Sequence, residues 1–238
     1  MKLTKKTKKL LEINVLKNYE ELSSTVADIV AKHIVEWPVT NIALPTGSTP
    51  IGMYEELVKK FDLEWTYVKT FNLDEYIMNP NHEQSYHSFM KKHLFDKINI
   101  MPSQCYFPDR NTKAYEKKMK DMGGIDLCIL GLGTNGHIAF NEPGSAFDSR
   151  TRVMDLTEQT ITDNSRFFDD IGDVPTQAIT MGLGTIMDSK RIILMVSGDH
   201  KLNILNIAIN AAQTIDIPAS VLQEHDNLEI YYCDETNN

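Results

Sequence analysis

The chain has 238 residues and a formal charge of −9, from 24 Lys and Arg against 33 Asp and Glu. Five of the lysines lie within residues 1–10, and beyond this basic tail 19 bases face 33 acids, a charge of −14. Such an acidic body excludes nucleic acid as a partner, because a polyanion is bound through a basic face. The 42% of apolar residues is typical of a folded globular protein.

The sequence carries no pattern for membrane insertion or export. Leu10 and Leu11 are followed at once by Glu12 and Asn14, so the apolar core of a signal peptide is missing. The longest apolar run, Ile192 to Val196, is far shorter than the ~18 residues of a membrane helix. The cysteines are odd in number and form no C-x-x-C pair, which favours buried thiols in a reducing cytoplasm. They are Cys105, Cys128 and Cys233.

Short β-rich runs alternate with helical stretches along the chain. The predicted strands are Thr40 to Leu44, Tyr67 to Leu73, Ile125 to Leu130, Arg191 to Val196 and Leu228 to Cys233. The predicted helices are Ile51 to Lys60, Gln84 to Lys97, Lys113 to Met122, Gln159 to Phe168 and His200 to Ala212. Strands that are continuously apolar are typical of a parallel sheet covered on both faces. We therefore predict an α/β fold, a Rossmann-like open and mostly parallel sheet with helices on both faces, as one domain over residues 1–238.

The first loop of interest follows the strand that ends at Leu44. It contains Thr46, Gly47, Ser48 and Thr49, and then Pro50 opens a helical run, with Thr49 as the predicted N-cap. Hydroxyls and backbone N–H groups at a helix N-terminus can bind a phosphate. An ordinary capped turn explains the same residues, so the loop alone leaves both interpretations open.

An acidic pair, Asp74 and Glu75, follows the next strand. Flanking apolar residues predict that the pair is partly desolvated, which raises a carboxyl pKa toward the range of a general base. The nearby segment HEQSYH, residues 82–87, does not match H-E-x-x-H, because its second histidine falls at i+5 and on another face of a helix. A zinc site is therefore rejected, and no metal is expected.

The segment GLGTNG, residues 131–136, matches the G-x-G-x-x-G dinucleotide pattern, but its context does not. The glycines should open a long helix, whereas NEPG at 141–144 interrupts the chain within eight residues. A catalytic loop fits better, because glycines allow a sharp turn and a close approach to a ligand. His137 lies in this loop with Asn135 and Glu142 close in sequence, and a histidine oriented by a carboxylate is a recurrent proton-transfer device.

Four segments together resemble the glucosamine-6-phosphate deaminase family. They are Pro45–Pro50, Phe71–Tyr76, Gly131–Gly144 and Asn164–Phe168, and the resemblance extends from about Asn41 to Asp234. It implies a Rossmann-like sheet and the conversion of glucosamine 6-phosphate and water into fructose 6-phosphate and ammonia, without a metal or organic cofactor. It implies a small amino-sugar phosphate as the partner, and self-association of the chain is left open.

The resemblance also implies roles for individual residues. Asp74 matches the base that moves the C2 proton to C1, and His137 matches the group that opens the sugar ring, with Glu142 completing the relay. The phosphate would be held by Thr46, Gly47, Ser48 and Thr49, by Arg166 and by Lys201. Arg166 lies between Leu156 and Ala178, a segment that we predict to act as a lid.

Two departures from the family pattern are visible. Asn135 stands where the best-known members have Asp, and an amide orients a histidine without carrying charge. We therefore expect activity with an altered pH profile. Ser145 and Arg152 match the activator site of allosteric relatives, but Met154 replaces its Lys, so we expect no activation by N-acetylglucosamine 6-phosphate. Galactosamine-6-phosphate deaminase, 6-phosphogluconolactonase and a sugar-phosphate sensor remain as alternatives.

Overall fold

A computed structural model gives the structure of the chain. It describes residues 11–156, 158, 161, 162, 165, 168, 170 and 173–236. The strands in this part are β1 Ile13–Val15, β2 Thr40–Leu44, β3 Val68–Asn72, β4 Asp74–Tyr76, β5 Cys105–Tyr106, β6 Leu127–Gly131, β7 Arg152–Asp155, β8 Gln177–Thr180, β9 Ile192–Ser197 and β10 Leu228–Cys233. The α-helices are α1 Tyr19–Glu36, α2 Ile51–Val58, α3 Tyr86–His93, α4 Thr112–Asp121, α5 Leu183–Met187 and α6 Leu202–Asn210.

Seven strands form one sheet in the order β1-β10-β9-β6-β2-β3-β5. Every neighbouring pair in this sheet is parallel. The chain moves from β2 to β3 on one side, and β6 lies on the other side of β2. The strand order therefore reverses between β2 and β6, and ligands of open α/β sheets bind at the carboxyl edge beside such a reversal.

Both faces of this sheet are covered, as the continuous apolar strands predicted. Along β9, Ile192 and Leu194 belong to a core with α4, α5 and α6, whereas Ile193 and Met195 belong to a core with α1 and α2. Successive strand residues point to opposite faces, so a strand buried on both sides needs apolar residues at every position. The predicted α/β class is thus confirmed.

The helix α1 is absent from our predicted elements, although its signals are present in the sequence. Asn18 caps it by accepting a hydrogen bond from the backbone N–H of Glu21. Leu22, Val26 and Val30 recur every four residues and are fully buried against the sheet. The apolar stripe is interrupted by polar residues such as Ser23, which is buried as well.

A second sheet of three short antiparallel strands, in the order β4-β8-β7, is also absent from the prediction. Leu73 alone separates β3 of the large sheet from β4 of the small one. Its N–H donates to the carbonyl of Leu44, and its carbonyl accepts from the N–H of Met181. One residue therefore joins the two sheets and fixes the position of Asp74, the first residue of β4.

The structure also bears on the predictions about the cysteines and about membrane-spanning helices. Cys128 and Cys233 are buried, whereas Cys105 is only partly buried, and all three thiols are free. Burial raises the pKa of Cys128 to about 12, which makes it an inert thiol. None of the helices in the described part of the chain is both long and apolar enough to cross a lipid bilayer.

Candidate active site

The predicted site residues lie at the carboxyl ends of four adjacent strands. In the order β9-β6-β2-β3, these ends lead into Lys201, His137, the loop 46–49 and Asp74, respectively. Parallel strands end at the same edge of their sheet, so residues far apart in sequence share one edge. The large sheet thus brings together every predicted site residue that the structure describes.

The loop after β2 is shaped by Gly47, whose φ of 94° lies in the left-handed region that favours glycine. Helix α2 begins at Ile51 after Pro50, and no side chain caps it. The prediction that Thr49 is the N-cap was therefore wrong. Its hydroxyl lies 3.2 Å from the Ser197 hydroxyl at the end of β9 instead, a contact that spans the intervening strand β6.

Two tyrosines support this loop from other elements. The Tyr19 hydroxyl donates to the carbonyl of Thr49 at 2.8 Å and accepts from the N–H of Gly52 at 2.9 Å. The Tyr86 side chain hydrogen-bonds to Thr46. Both rings lie on helices, and neither was named as a site residue, because sequence spacing gives no sign of contacts between such distant positions.

Asp74 is buried, with 6% of its surface exposed. Burial, and to a smaller extent the negative charge of Glu75, together raise the pKa of this carboxyl from 3.8 to about 8. The desolvation that we predicted for the acidic pair is confirmed for Asp74. A carboxyl with such a pKa is a much stronger base than an ordinary aspartate once it has lost its proton.

Three buried tyrosine rings on three helices lie near enough to Asp74 for its charge to act on them. Their pKa values lie above the ordinary 10, chiefly because of burial, and the charge of Asp74 contributes to each. The rings are Tyr54 of α2, Tyr86 of α3 and Tyr115 of α4. The hydroxyls of two of them are committed to backbone carbonyls, Tyr54 to Pro45 at 2.5 Å and Tyr115 to Asn72 at 2.7 Å. The groups near the carboxyl are therefore mainly aromatic rings.

The loop after β6 holds His137 against a glycine. A Cβ atom on Gly133 would lie 2.1 Å from the Cε1 atom of His137, so only glycine allows the imidazole to occupy this place. Gly136 has a φ of 84°, and the loop then continues to Glu142 without opening a helix. This geometry agrees with a catalytic loop and excludes the dinucleotide-binding interpretation.

His137, Asn135 and Glu142 form a short hydrogen-bonded chain. The Nδ1 atom of His137 lies 2.7 Å from Oδ1 of Asn135, whose Nδ2 donates to Oε2 of Glu142 at 2.8 Å. The amide orientation is fixed, because only its nitrogen can donate to the carboxylate. Its oxygen then accepts from Nδ1–H of His137, which places the lone pair of the neutral ring on Nε2. Glu142 Oε1 lies 3.7 Å from Nδ1, so the amide is the nearer partner of the histidine.

The histidine loop is tied to the small sheet that carries Asp74. Asp74 pairs with Thr180 of β8, and the Thr180 hydroxyl accepts from the N–H of Phe140 at 3.1 Å. Asn141 donates to the carbonyl of Met181 at 2.8 Å. The base and the histidine relay are therefore held on one framework, although about 60 residues separate them in sequence.

Of the two other predicted phosphate ligands, Lys201 and Arg166, the structure describes only Lys201. Lys201 ends a 3-10 turn after β9, at the edge where the loop 46–49 lies, and is partly exposed. Arg166 lies outside the described residues, as does much of the predicted helix Gln159 to Phe168 and of the predicted lid. Within the described residues, no three His, Cys, Asp or Glu side chains converge in a way that would hold a metal ion.

Comparison with known proteins agrees with this geometry. Residues 17–231 match the family described as glucosamine-6-phosphate isomerases/6-phosphogluconolactonase. A glucosamine-6-phosphate deaminase from a Thermoanaerobacter species is 44% identical over 231 residues, which cover 92% of this chain and 91% of the relative. One from Clostridium perfringens is 44% identical over 226 residues, 90% of this chain and 93% of the relative.

Solved structures extend the comparison. A monomeric glucosamine-6-phosphate deaminase superimposes with a TM-score of 0.91 at 37% identity, covering 94% of this chain and 98% of its own. A 6-phosphogluconolactonase from Trypanosoma brucei covers 94% of this chain and 97% of its own with a TM-score of 0.78, but at 20% identity. The latter likeness is one of fold alone.

Proposed function

Because the chain belongs to the family of glucosamine-6-phosphate isomerases and 6-phosphogluconolactonases, we propose that it converts glucosamine 6-phosphate and water into fructose 6-phosphate and ammonia. The observation that carries the proposal is Asp74, a buried carboxyl with a pKa of about 8 at the sheet edge that also holds the His137 relay. The family description names an isomerase, and the hydrolytic release of the amine is the finer part of the proposal. The whole chain would act as one α/β domain.

The first step is ring opening, for which the tautomer of His137 is suited. Its Nε2 lone pair accepts the proton of the C1 hydroxyl, and the ring oxygen takes up a proton as the C1–O5 bond breaks. Asn135 accepts the hydrogen bond of the ring Nδ1–H and in turn donates to the carboxylate of Glu142. The negative charge of Glu142 stabilises the imidazolium that forms in this step.

The second step is the isomerisation, which needs one base that acts at two carbons. Asp74 removes the proton from C2, which is acidic because of the neighbouring C1 carbonyl, the carbonyl oxygen takes up a proton from the substrate's ammonium group, and an enolamine forms. The same carboxyl then delivers the proton to C1, and the C2–N bond becomes an iminium. Water adds to this iminium and ammonia leaves, which gives the C2 ketone. A carboxyl with a pKa of about 8 both accepts and returns a proton near neutral pH.

Binding of the phosphate would place the reacting carbons over these groups. The loop Thr46 to Thr49 offers hydroxyls and N–H groups, and its contact with Ser197 brings it beside the turn that carries Lys201. Arg166 completes the set in our proposal. Cationic groups and a loop at a helix N-terminus neutralise the phosphate and fix the substrate by its far end.

We also propose the substrate class, the cofactor requirement and the cellular location of the protein. The substrate is a small amino-sugar phosphate, and the chemistry above requires no metal or organic cofactor. The free thiols Cys128 and Cys233 fit the reducing cytoplasm as its location. We leave self-association of the chain open, and one of the similar solved structures is described as monomeric.

The test is ammonia release by the purified chain from three substrates measured side by side. We expect release from glucosamine 6-phosphate with formation of fructose 6-phosphate. Faster release from galactosamine 6-phosphate would mean that this sugar, which differs from glucosamine 6-phosphate only in the configuration at C4, is the preferred substrate. Hydrolysis of 6-phosphogluconolactone without any ammonia would overturn the proposal in favour of a lactonase, and binding of the sugars without turnover would indicate a sensor.

A further inference from the structure

Glu75, the residue after Asp74 in β4, has an unusually complete set of hydrogen bonds for a buried carboxylate. Oε1 accepts from the N–H of Tyr76 at 2.8 Å and from the N–H of Tyr86 at 2.9 Å. Oε2 accepts from the N–H of His87 at 3.0 Å and lies 2.6 Å from its Nδ1 atom. Only 7% of the side chain is exposed. Four donors thus hold both oxygens of this carboxylate in one place.

Two of these donors belong to the first turn of helix α3. Tyr86 and His87 are its first two residues, and the third N–H needing a partner, that of Ser88, donates to the hydroxyl of Ser85. The N–H groups of a first turn have no partner within their helix and carry a partial positive charge. Glu75 satisfies two of them, which stabilises its negative charge despite burial.

The fourth donor is the ring Nδ1–H of His87, and this ring packs against an aromatic side chain. Its ring is stacked on Phe107 with the centroids 3.6 Å apart and the planes inclined by 19°. The stacking fixes the plane of the imidazole, and Nδ1 then points at Glu75 and carries the hydrogen of the contact. Phe107 follows β5, the edge strand beside β3, so the large sheet supports this arrangement.

The groups around Asp74 differ sharply from those around Glu75. The titratable groups of the helices on which the charge of Asp74 acts are the phenols Tyr54, Tyr86 and Tyr115, which are neutral at neutral pH. Glu75 supplies the neighbouring negative charge on its own strand. The two adjacent buried carboxyls are therefore in opposite environments. Glu75 accepts hydrogen bonds from fixed donors, whereas the groups near Asp74 are mainly aromatic rings.

We propose that Glu75, held by His87 and the first turn of α3, is a positioning residue of the deaminase reaction: its fixed negative charge strengthens Asp74 as a base. The inference rests on the proposed function, because it assigns Asp74 the proton transfer between C2 and C1. Two buried like charges disfavour one another, and the better-solvated carboxylate keeps its charge. The proton is therefore held by Asp74, which becomes the stronger base.

The principal test is Glu75→Gln, which removes the charge and keeps one oxygen, so that the side chain accepts from one of the two helix N–H groups and not from both. We expect the acid limb of kcat/KM to move to lower pH by about one unit and the maximal kcat to fall about tenfold, because a weaker base is deprotonated at lower pH but transfers protons more slowly. The titration of Asp74, followed by the carbon-13 signal of its carboxyl, should move by the same amount. Glu83→Gln, in the exposed segment before α3, is the matched control and should leave both unchanged.

Two substitutions of His87 separate its donor from its ring. His87→Asn keeps a nitrogen donor near the place of Nδ1 and loses the stacking on Phe107, whereas His87→Phe keeps the stacking and loses the donor. We expect His87→Phe to move the acid limb to lower pH, in the same direction as Glu75→Gln, because Glu75 loses one of the four donors that keep it charged. His87→Asn should restore the wild-type limb. These variants keep the inference testable if Glu75→Gln does not fold.

The outcomes distinguish this inference from the proposed function. A parallel loss of activity at all pH values in Glu75→Gln, with the acid limb and the Asp74 titration unmoved, would mean that Glu75 is only a helix cap. An unmoved limb in both His87 variants would also overturn the inference. If the wild-type chain releases no ammonia, the proposed function fails, and the carboxyl titration still reports whether Glu75 acts on Asp74.

Discussion

The two halves of the site are built in different ways. Asp74 lies in a strand, at a junction of two sheets, and buried tyrosines of helices α2, α3 and α4 lie near enough for its charge to act on them. His137 lies in a loop, and its position depends on residues within a few positions of it, such as Gly133 and Asn135. The base is therefore a product of the whole fold, whereas the histidine relay is a local construction, and the two should respond differently to substitution.

The largest effect is expected for Asp74→Asn. Loss of the base should lower kcat for ammonia release by about a thousandfold, within the range of general-base catalysis. Asp62→Asn, an exposed residue, is the control and should keep wild-type activity. Activity of Asp74→Asn within tenfold of the wild type would remove Asp74 from the mechanism.

The same variant should reveal the cost of burying this carboxyl. The pKa of Asp74 is raised from 3.8 to about 8 in the folded chain, so the folded state binds the proton more tightly than the unfolded state. Its contribution therefore lowers the free energy of unfolding as pH rises from about 4 to about 8. Asp74→Asn should abolish this loss and exceed the wild type in stability at pH 9, by on the order of a few kcal/mol. Urea unfolding at pH 5 and pH 9 measures the difference.

The same contrast explains what could be predicted from the sequence. Continuous apolar strands indicated a parallel sheet, and the residues that follow each strand then share an edge, so Asp74 and His137 were found in this way, whereas Lys201 was implied by the resemblance to the deaminase family. The partner of Asp74 in the small sheet is Thr180, more than 100 positions away. Strands of three or four residues carry too little periodicity to predict such pairing. The tyrosines near Asp74 and the partners of Glu75 come from helices elsewhere in the chain, and sequence patterns do not show which helices pack beside β4, so they were not predicted.

A smaller effect, confined to the loop, is expected for Gly133→Ala. The added Cβ would lie 2.1 Å from the His137 ring and would displace it, so kcat/KM should fall about a hundredfold with stability nearly unchanged. In a His137→Ala background the same substitution should cost little more, because its damage acts through the histidine. A double-mutant cycle measures this coupling. Additive losses would show that Gly133 serves the substrate or the backbone rather than His137.

The smallest effect is expected for Asn135→Asp, which keeps an oxygen for His137 but replaces the donor to Glu142 by a second oxygen. A carboxylate 2.7 Å from Nδ1 would stabilise the imidazolium, so the pH limb set by His137 should move up by about one unit while kcat stays within about tenfold. Asn135→Ala is the comparison, since it removes the contacts to both His137 and Glu142 and should cost more activity. The limb set by Asp74 should not move in either variant, because Asp74 responds to the sheet and its helices. A rise of kcat by orders of magnitude in Asn135→Asp at neutral pH would mean that the amide limits this chain on glucosamine 6-phosphate, and that its natural substrate is another sugar phosphate.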